Sequence, residues 1–192
     1  MDQAEWFFIT GGVRSGKSHF AEKKVDEIAN QQNRIRYYIA SGVAFDSEMK
    51  ERIERHQIDR QQQQWITLEQ PTNLAQLSTK IPNEAVVLWD CATTWLTNEL
   101  YVEVDGKMQW QNESAFQTML ESTKSALRTI HERGIPLIIV SNEVLDEQRY
   151  ASDEVAFYRQ QLGLFHQWLV GESTTAIEMT YTVPYYWKGS ER

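Results

Sequence analysis

The sequence predicts a single α/β domain built on a mainly parallel central sheet flanked by helices. Three observations carry this. Stretches of strand character alternate with stretches of helical character through most of the chain. Ala85-Val86-Val87-Leu88-Trp89 and Leu137-Ile138-Ile139-Val140 are continuous apolar runs of strand length, the pattern of strands covered on both faces. A glycine-containing loop, Gly11 to Ser18, joins the first apolar run to the first helical stretch.

Taken in order, Glu5 to Thr10 is the first strand, around Trp6-Phe7-Phe8-Ile9. A helix follows from Lys17 to Asn30, with Phe20, Val25 and Ile28 on its inner side. Arg36-Tyr37-Tyr38-Ile39-Ala40 is a second short strand, broken by Ser41-Gly42. Ser47 suits the N-cap of a helix running to Asp59. Gln61 to Gln64 is a loop, Trp65-Ile66-Thr67-Leu68 a strand, and Pro71-Thr72 opens a short helix. Asp105-Gly106 marks a turn. Glu113 to Arg133 is a long helix, with Phe116, Met119, Leu120, Ala126, Leu127 and Ile130 near helical spacing and Gly134 at its end. Ser152 to Val170 is helical, with Val155, Tyr158, Leu162, Phe165 and Leu169 on one face. Thr174 to Thr182 is a strand, and Val183 to Trp187 follows it.

Composition narrows the class. With 192 residues, 41% hydrophobic and 24% charged, the chain suits one globular domain with a substantial core. A formal net charge of −8 argues against nucleic acid as a partner. Arg52, Arg55 and Arg60 cluster, but Glu51, Glu54 and Asp59 interleave with them. Cys91 is the lone cysteine, so no intrachain disulfide forms, in keeping with a reducing compartment. No apolar run approaches the ~20 residues of a membrane span. The N-terminus lacks the basic and then apolar regions of a secretory signal, so a cytoplasmic location is expected. Seven Trp and eight Tyr are many for this length and suit either a core or a subunit interface.

Gly11-Gly12-Val13-Arg14-Ser15-Gly16-Lys17-Ser18 satisfies the phosphate-loop pattern GxxxxGK[ST] at each fixed position, between a strand and a helix. In that setting the loop's N–H groups turn toward an anion and the helix adds its positive N-terminal end. Lys17 would reach the β- and γ-phosphates, and the Ser18 hydroxyl would ligate Mg²⁺. Asp90 ends an apolar strand, where a carboxylate can hold Mg²⁺ opposite Ser18 or cap the next helix. Ligands of such sheets gather at the carboxyl ends of the strands. The phosphate loop, Ser41-Gly42, Asp90 and Ser141-Asn142-Glu143 all stand at such ends. The last three could orient substrate or simply satisfy the strand's backbone. His56 shares a helical face with Met49 and Ile53. On spacing alone it is a structural histidine, although a neutral imidazole can attack an α-phosphate and form a phosphoramidate.

Several segments together resemble the bifunctional adenosylcobinamide kinase / adenosylcobinamide-phosphate guanylyltransferase family of cobalamin assembly. They are Ile9 to Ser18 with Ala21-Glu22, Tyr38-Ile39-Ala40, Glu48-Met49 leading to Arg52-Ile53 and His56, and Trp65 to Glu69. Asp90 to Asn98 and Val140 to Val144 complete the set, in family order over about residues 5 to 145. The resemblance implies a RecA-like P-loop fold, with residues 1–192 as one kinase/nucleotidyltransferase domain. It implies phosphorylation of adenosylcobinamide by ATP or GTP. Transfer of GMP from GTP then gives adenosylcobinamide-GDP through a GMP-histidine intermediate. His56 matches that histidine. Ala40, Ser41, Gly42, Gln57, Ile58, Asp59, Arg60, Glu69 and Asp90 match nucleotide-contact positions, beside the loop residues 11–18. The partners implied are a corrinoid, a nucleotide and two further copies of the chain in a homotrimer, with no nucleic acid and no membrane span. The chain departs from the family pattern at Gln61 to Gln64, at Leu145 to Tyr150, which holds no glycine, and near His166, where an asparagine is expected. These departures leave two other readings: a P-loop kinase of another small alcohol, or a nucleotide-binding protein without transferase activity.

Overall fold

A computed structural model describes residues 4–43, 51, 58, 60, 63–143 and 152–190. Strand β1 (Trp6–Gly11) leads through the glycine loop into helix α1 (Lys17–Gln32), and β2 spans Ile35–Ala40. Strand β3 (Ile66–Glu69) is followed by a 3-10 segment, Leu74–Thr79, at the place where a short helix is expected. Strand β4 (Ala85–Asp90) runs into helix α2 (Ala92–Leu100). A small hairpin, β5 (Glu103–Val104) and β6 (Lys107–Met108), turns at Asp105-Gly106. Helix α3 (Glu113–Glu132), strand β7 (Leu137–Val140), helix α4 (Asp153–Glu172) and strands β8 (Thr175–Thr180) and β9 (Val183–Lys188) follow. The expected helix from Ser47 to Asp59 lies mostly outside the described residues. Of that stretch only Glu51 and Ile58 are described, and both are helical, as is Arg60 just beyond it.

The seven-stranded sheet has the order β3-β2-β4-β7-β1-β8-β9. Every pairing is parallel except that of β8 with β9, an antiparallel hairpin. The sequence reads the apolar runs of β4 and β7 as strands covered on both faces, and Ala85 to Trp89 of β4 and all of β7 are buried, with half-buried Asp90 ending β4. Side chains alternate between two cores as the pleat requires. Trp6, Phe8, Val87, Trp89, Leu137 and Ile139 face one layer, with Trp95 and Leu96 of α2, Phe116 and Leu127 of α3, and Leu162 and Phe165 of α4. Phe7, Ile9, Val86, Leu88, Ile138 and Val140 face Ala21, Val25 and Ile28 of α1. Ile9, the last core residue before the loop, is wholly buried, which contributes about 1.5–3 kcal/mol toward fixing where the loop begins.

The ends of the sheet opposite the loop are tied by arginines to backbone carbonyls. Arg34 donates through Nη1 to Asn83 O and Ala85 O, both at 3.0 Å, and through Nη2 to Gly134 O at 2.9 Å. Arg133 donates to Ser78 O and Ile81 O at 2.6 Å. On the outer edge, Val183, Tyr185 and Trp187 of β9 point to solvent in alternation, 50%, 54% and 74% exposed.

Candidate active site

Register brings the carboxyl ends of the strands level. Ala40 stands beside Glu69 on β3 and Asp90 on β4, and Asp90 stands beside Val140 on β7. The chain then leaves each strand on a backbone hydrogen bond to its neighbour. Ser41 N donates to Asp90 O (3.3 Å), Ser141 N to Ile9 O (3.0 Å) and Glu143 N to Gly11 O (3.0 Å). Ala40, Ser41, Gly42, Glu69, Asp90 and Ser141-Asn142-Glu143 therefore share one rim with the loop, as the sequence predicts.

The loop itself needs its glycines. Gly11 has φ +151°, and a Cβ there would lie 2.4 Å from Met179 O and 2.7 Å from Ser15 Oγ. Gly16 has φ +89°, and a Cβ would lie 3.0 Å from Thr182 Cγ2. Gly16 is also the N-cap of α1, so no side chain caps the helix, and its first turn carries no acidic residue. The first amides of α1 are left for an anion. Gly12, Val13 and Arg14 are exposed at the crest, and Ser15 and Lys17 are buried beneath it. Ser15 Oγ is buried without a hydrogen-bond partner among the described residues, an orphaned hydroxyl facing the loop interior.

Lys17 is only 8% exposed, and its Nζ donates to Gly12 O at 3.0 Å, folding the ammonium back across its own loop. Burial lowers its pKa, and the negative charge of Asp90 opposes that shift. Asp90 thus faces Lys17 electrostatically. The Tyr38 hydroxyl donates to Asp90 Oδ2 at 3.1 Å, and the Arg60 guanidinium lies 3.4 Å over the Tyr38 ring. Burial, then the Asp90 charge, pushes the Tyr38 phenol well above its usual range, so it remains a donor. Cys91 caps α2, its Sγ accepting from Thr94 N at 3.5 Å, and burial holds it as a thiol.

A second polar chain links the next strand end to two helices. Thr93 Oγ1 and Ser141 Oγ are 2.9 Å apart, Ser141 Oγ and His166 Nε2 2.7 Å, and Asn142 N donates to Thr93 Oγ1 at 2.6 Å. His166 is 8% exposed, with the Phe8 ring centroid 5.2 Å away, and burial lowers its pKa to about 4. It is a neutral hydrogen-bonding group.

The residues named from sequence fall into three sets. Gly11 to Ser18, Ala40, Ser41, Gly42, Glu69 and Asp90 meet at one rim. Arg60 reaches that rim through Tyr38, whereas the Ile58 side chain is 56% exposed. His56, Gln57 and Asp59 lie outside the described residues. Tyr38 escaped the sequence reading as a site residue. Its signal was an aromatic with a polar tip, two positions before the end of a strand that pairs with the strand ending in Asp90.

The donor set suits a small hard cation. Ser18 offers a hydroxyl, and Asp90 offers a carboxylate of which Tyr38 occupies one oxygen. Mg²⁺ is ordinarily held by one or two carboxylates together with substrate phosphates and water. Among the described residues no group of three or more His, Cys, Asp or Glu could hold a metal by itself. A nucleotide's own phosphates would have to complete the coordination.

A parallel sheet whose first strand feeds a lysine-bearing glycine loop, with an acid at the end of β4, defines a P-loop nucleotide-binding protein. A KaiC-like protein from Pyrococcus horikoshii superposes over 91% of this chain and 70% of its own with TM-score 0.51, at 10% identity, which places the fold in the RecA-type group. Residues 7–185 match the family described as CobU, cobinamide kinase / cobinamide phosphate guanyltransferase. The bifunctional adenosylcobalamin biosynthesis protein CobP of Pseudomonas aeruginosa is 32% identical over 152 residues, 77% of this chain and 85% of that protein. The corresponding CobU of Escherichia coli is 33% identical over 140 residues, 71% of this chain and 74% of that protein. The chain belongs to the cobinamide kinase / cobinamide phosphate guanyltransferase family, a family of transferases in cobalamin biosynthesis.

Proposed function

We propose that the loop from Gly11 to Ser18 serves two successive reactions, with His56 as the covalent carrier in the second. In the first, the hydroxyl of adenosylcobinamide attacks the γ-phosphorus of ATP or GTP. The bond to the β-phosphate oxygen breaks, the hydroxyl proton leaves, and a nucleoside diphosphate is released. In the second, a His56 ring nitrogen attacks the α-phosphorus of GTP, pyrophosphate departs, and a GMP phosphoramidate forms. An oxygen of the corrinoid phosphate then attacks that phosphorus, giving adenosylcobinamide-GDP and restoring the imidazole.

The observation that carries this reading is the meeting of Lys17, Ser18 and Asp90 at the rim of a complete phosphate loop within a chain of this family. Ser18 and Asp90 would hold Mg²⁺, whose charge offsets that of the phosphates. Lys17 supplies a buried positive charge to the β- and γ-phosphates, and the α1 amides receive their oxygens. Tyr38 fixes the Asp90 carboxylate. Ala40 to Gly42, Gln57 to Arg60 and Glu69 contact the nucleotide. Arg60, held over Tyr38, carries positive charge to the same rim.

The enzyme works in the cytoplasm as one domain per chain and as a homotrimer. The stripe Val183, Tyr185 and Trp187 supports assembly, since an exposed apolar edge suits contact with another subunit. No helix among the described residues is long and apolar enough to cross a membrane.

Incubation with α-labelled GTP tests the histidine step. Wild type is expected to acquire an acid-labile, base-stable label, and His56→Ala to acquire none. Equal labelling of the two, or no labelling of wild type, refutes the covalent mechanism.

A further inference from the structure

The hairpin of β8 and β9 touches the glycine loop at both of its ends. Met179 of β8 pairs with Gly11, so closely that a Cβ on Gly11 would lie 2.4 Å from Met179 O. At the far end Thr182 N donates to Ser15 O at 2.9 Å. A Cβ on Gly16 would lie 3.0 Å from Thr182 Cγ2 and 3.4 Å from Thr182 Cα.

The turn that makes this second contact is built against its own backbone preference. Thr180 pairs with Val183, which leaves a two-residue loop. Such loops with both residues at positive φ are ordinarily Asn-Gly or Asp-Gly. Here the pair is Tyr181 (φ 49°) and Thr182 (φ 68°), the latter β-branched. Residues of these types are strained in the left-handed region, and the strain persists where surrounding contacts impose it. Thr182 is exposed, so burial does not impose it. The hydrogen bond to Ser15 does.

That hydrogen bond fixes a peptide plane of the loop. The Ser15 carbonyl and the Gly16 N–H belong to one planar trans peptide and point opposite ways. With the carbonyl drawn outward to Thr182, the Gly16 N–H is turned away from the hairpin and into the loop. Ser15 N–H is taken by Gly12 O at 3.2 Å, whereas Gly16 N–H has no acceptor among the described residues. Gly16 is also the N-cap of α1, where free amides receive an anion. On the reading of the loop as a nucleoside triphosphate site, on which this inference rests, we propose that Thr182 is a positioning residue for phosphate binding: its backbone N–H, acting through Ser15 O, aims the Gly16 N–H at the phosphates. The contact acts on phosphate oxygens alone, so its effect is the same whatever base the nucleotide carries.

The test removes one N–H from the full chain. The α-hydroxy analogue of threonine at position 182 replaces that amide by an ester and keeps every side chain. Calorimetry should then show GTP, ATP and inorganic tripolyphosphate all binding about 3- to 12-fold more weakly, in equal measure, as expected for one orienting hydrogen bond. Thr182→Gly keeps the N–H and adopts the left-handed turn without strain. It should bind all three within about twofold of wild type and melt at or above the wild-type temperature. Arg34→Ala loses its hydrogen bonds at the opposite end of the sheet, so it is destabilised but should bind the three ligands as wild type does. A purely structural turn predicts that the ester behaves like Arg34→Ala, with a lower melting temperature and unchanged tripolyphosphate binding. That result overturns the proposal and leaves the phosphate-loop reading intact. A loss in Thr182→Gly equal to that of the ester also overturns it, by placing the effect in the side chain. A wild-type chain that binds neither GTP nor tripolyphosphate removes the phosphate-loop reading itself, and this proposal with it.

Discussion

His166 gives the chain a built-in acid sensitivity whose size follows from its surroundings. The ring is buried against Phe8, hydrogen-bonded to Ser141, and remains neutral down to about pH 4. In the unfolded chain the same imidazole takes up a proton below its ordinary value of 6.5. Folding therefore excludes a proton that the unfolded state accepts. The native state carries no penalty from this residue above pH 6.5, and stability is lost as pH falls from 6.5 toward 4. At 1.36 kcal/mol per pH unit, the loss between pH 7.5 and pH 4.5 is about 2–3 kcal/mol. His166→Gln keeps a hydrogen-bonding group toward Ser141 and removes the titration. Urea unfolding followed by tryptophan fluorescence, on both proteins at both pH values, isolates the contribution of this one ring as a difference of differences. Wild type should lose about 2–3 kcal/mol more than the variant over that interval. Parallel losses, within about 0.5 kcal/mol, would refute the assignment of a buried neutral imidazole.

Other perturbations test the frame around the site. Gly11→Ala drives a methyl group to within 2.4 Å of Met179 O in the adjoining strand, so β1 and β8 must separate. A cost of about 2–4 kcal/mol is expected, read as a lower melting temperature together with lost GTP binding by calorimetry. Arg34→Ala removes three hydrogen bonds to the carbonyls of Asn83, Ala85 and Gly134. It should cost about 1.5–3 kcal/mol in urea unfolding, and Arg34→Lys should not restore it because an ammonium cannot span the three acceptors.

The parts of this architecture legible in the sequence are those set by local pattern. The apolar runs of β4 and β7 announce strands covered on both sides, and the loop from Gly11 to Ser18 announces itself by residue type and context. Helix α2 was not legible. Thr93, Thr94 and Thr97 are β-branched, and Cys91 is an uncommon N-cap, so local propensity argues against it. Burial of Trp95, Leu96 and Leu100 decides the matter instead. The pairing of Tyr38 with Asp90 depends on lateral register between β2 and β4, which no window of sequence contains. The same holds for the clamp between Thr182 and Ser15. Gly106 could be read as a turn from its neighbours, whereas a Tyr-Thr pair in a hairpin turn contradicts local rules and emerges only from contact with the loop. The reading of His56 rests on the motif around it, since it lies outside the described residues.

Strand β1 opens the fold in sequence yet sits between β7 and β8 in space. Its first residue, Trp6, donates its N–H to Thr174 Oγ1, 168 positions along the chain. The loop that β1 presents is braced by Ser141, Glu143 and Thr182, all from the second half of the sequence. During synthesis β1 and its loop must therefore wait for β7, β8 and the turn that follows β8. A ribosome that has made everything through β7 has produced the loop's residues but not their brace, and one side of β1 is still an open parallel edge. The loop's full bracing thus depends on β8 and the turn after it, and chains cut before β8 leave β1 exposed to wrong partners. The fold makes its own completion a condition of activity.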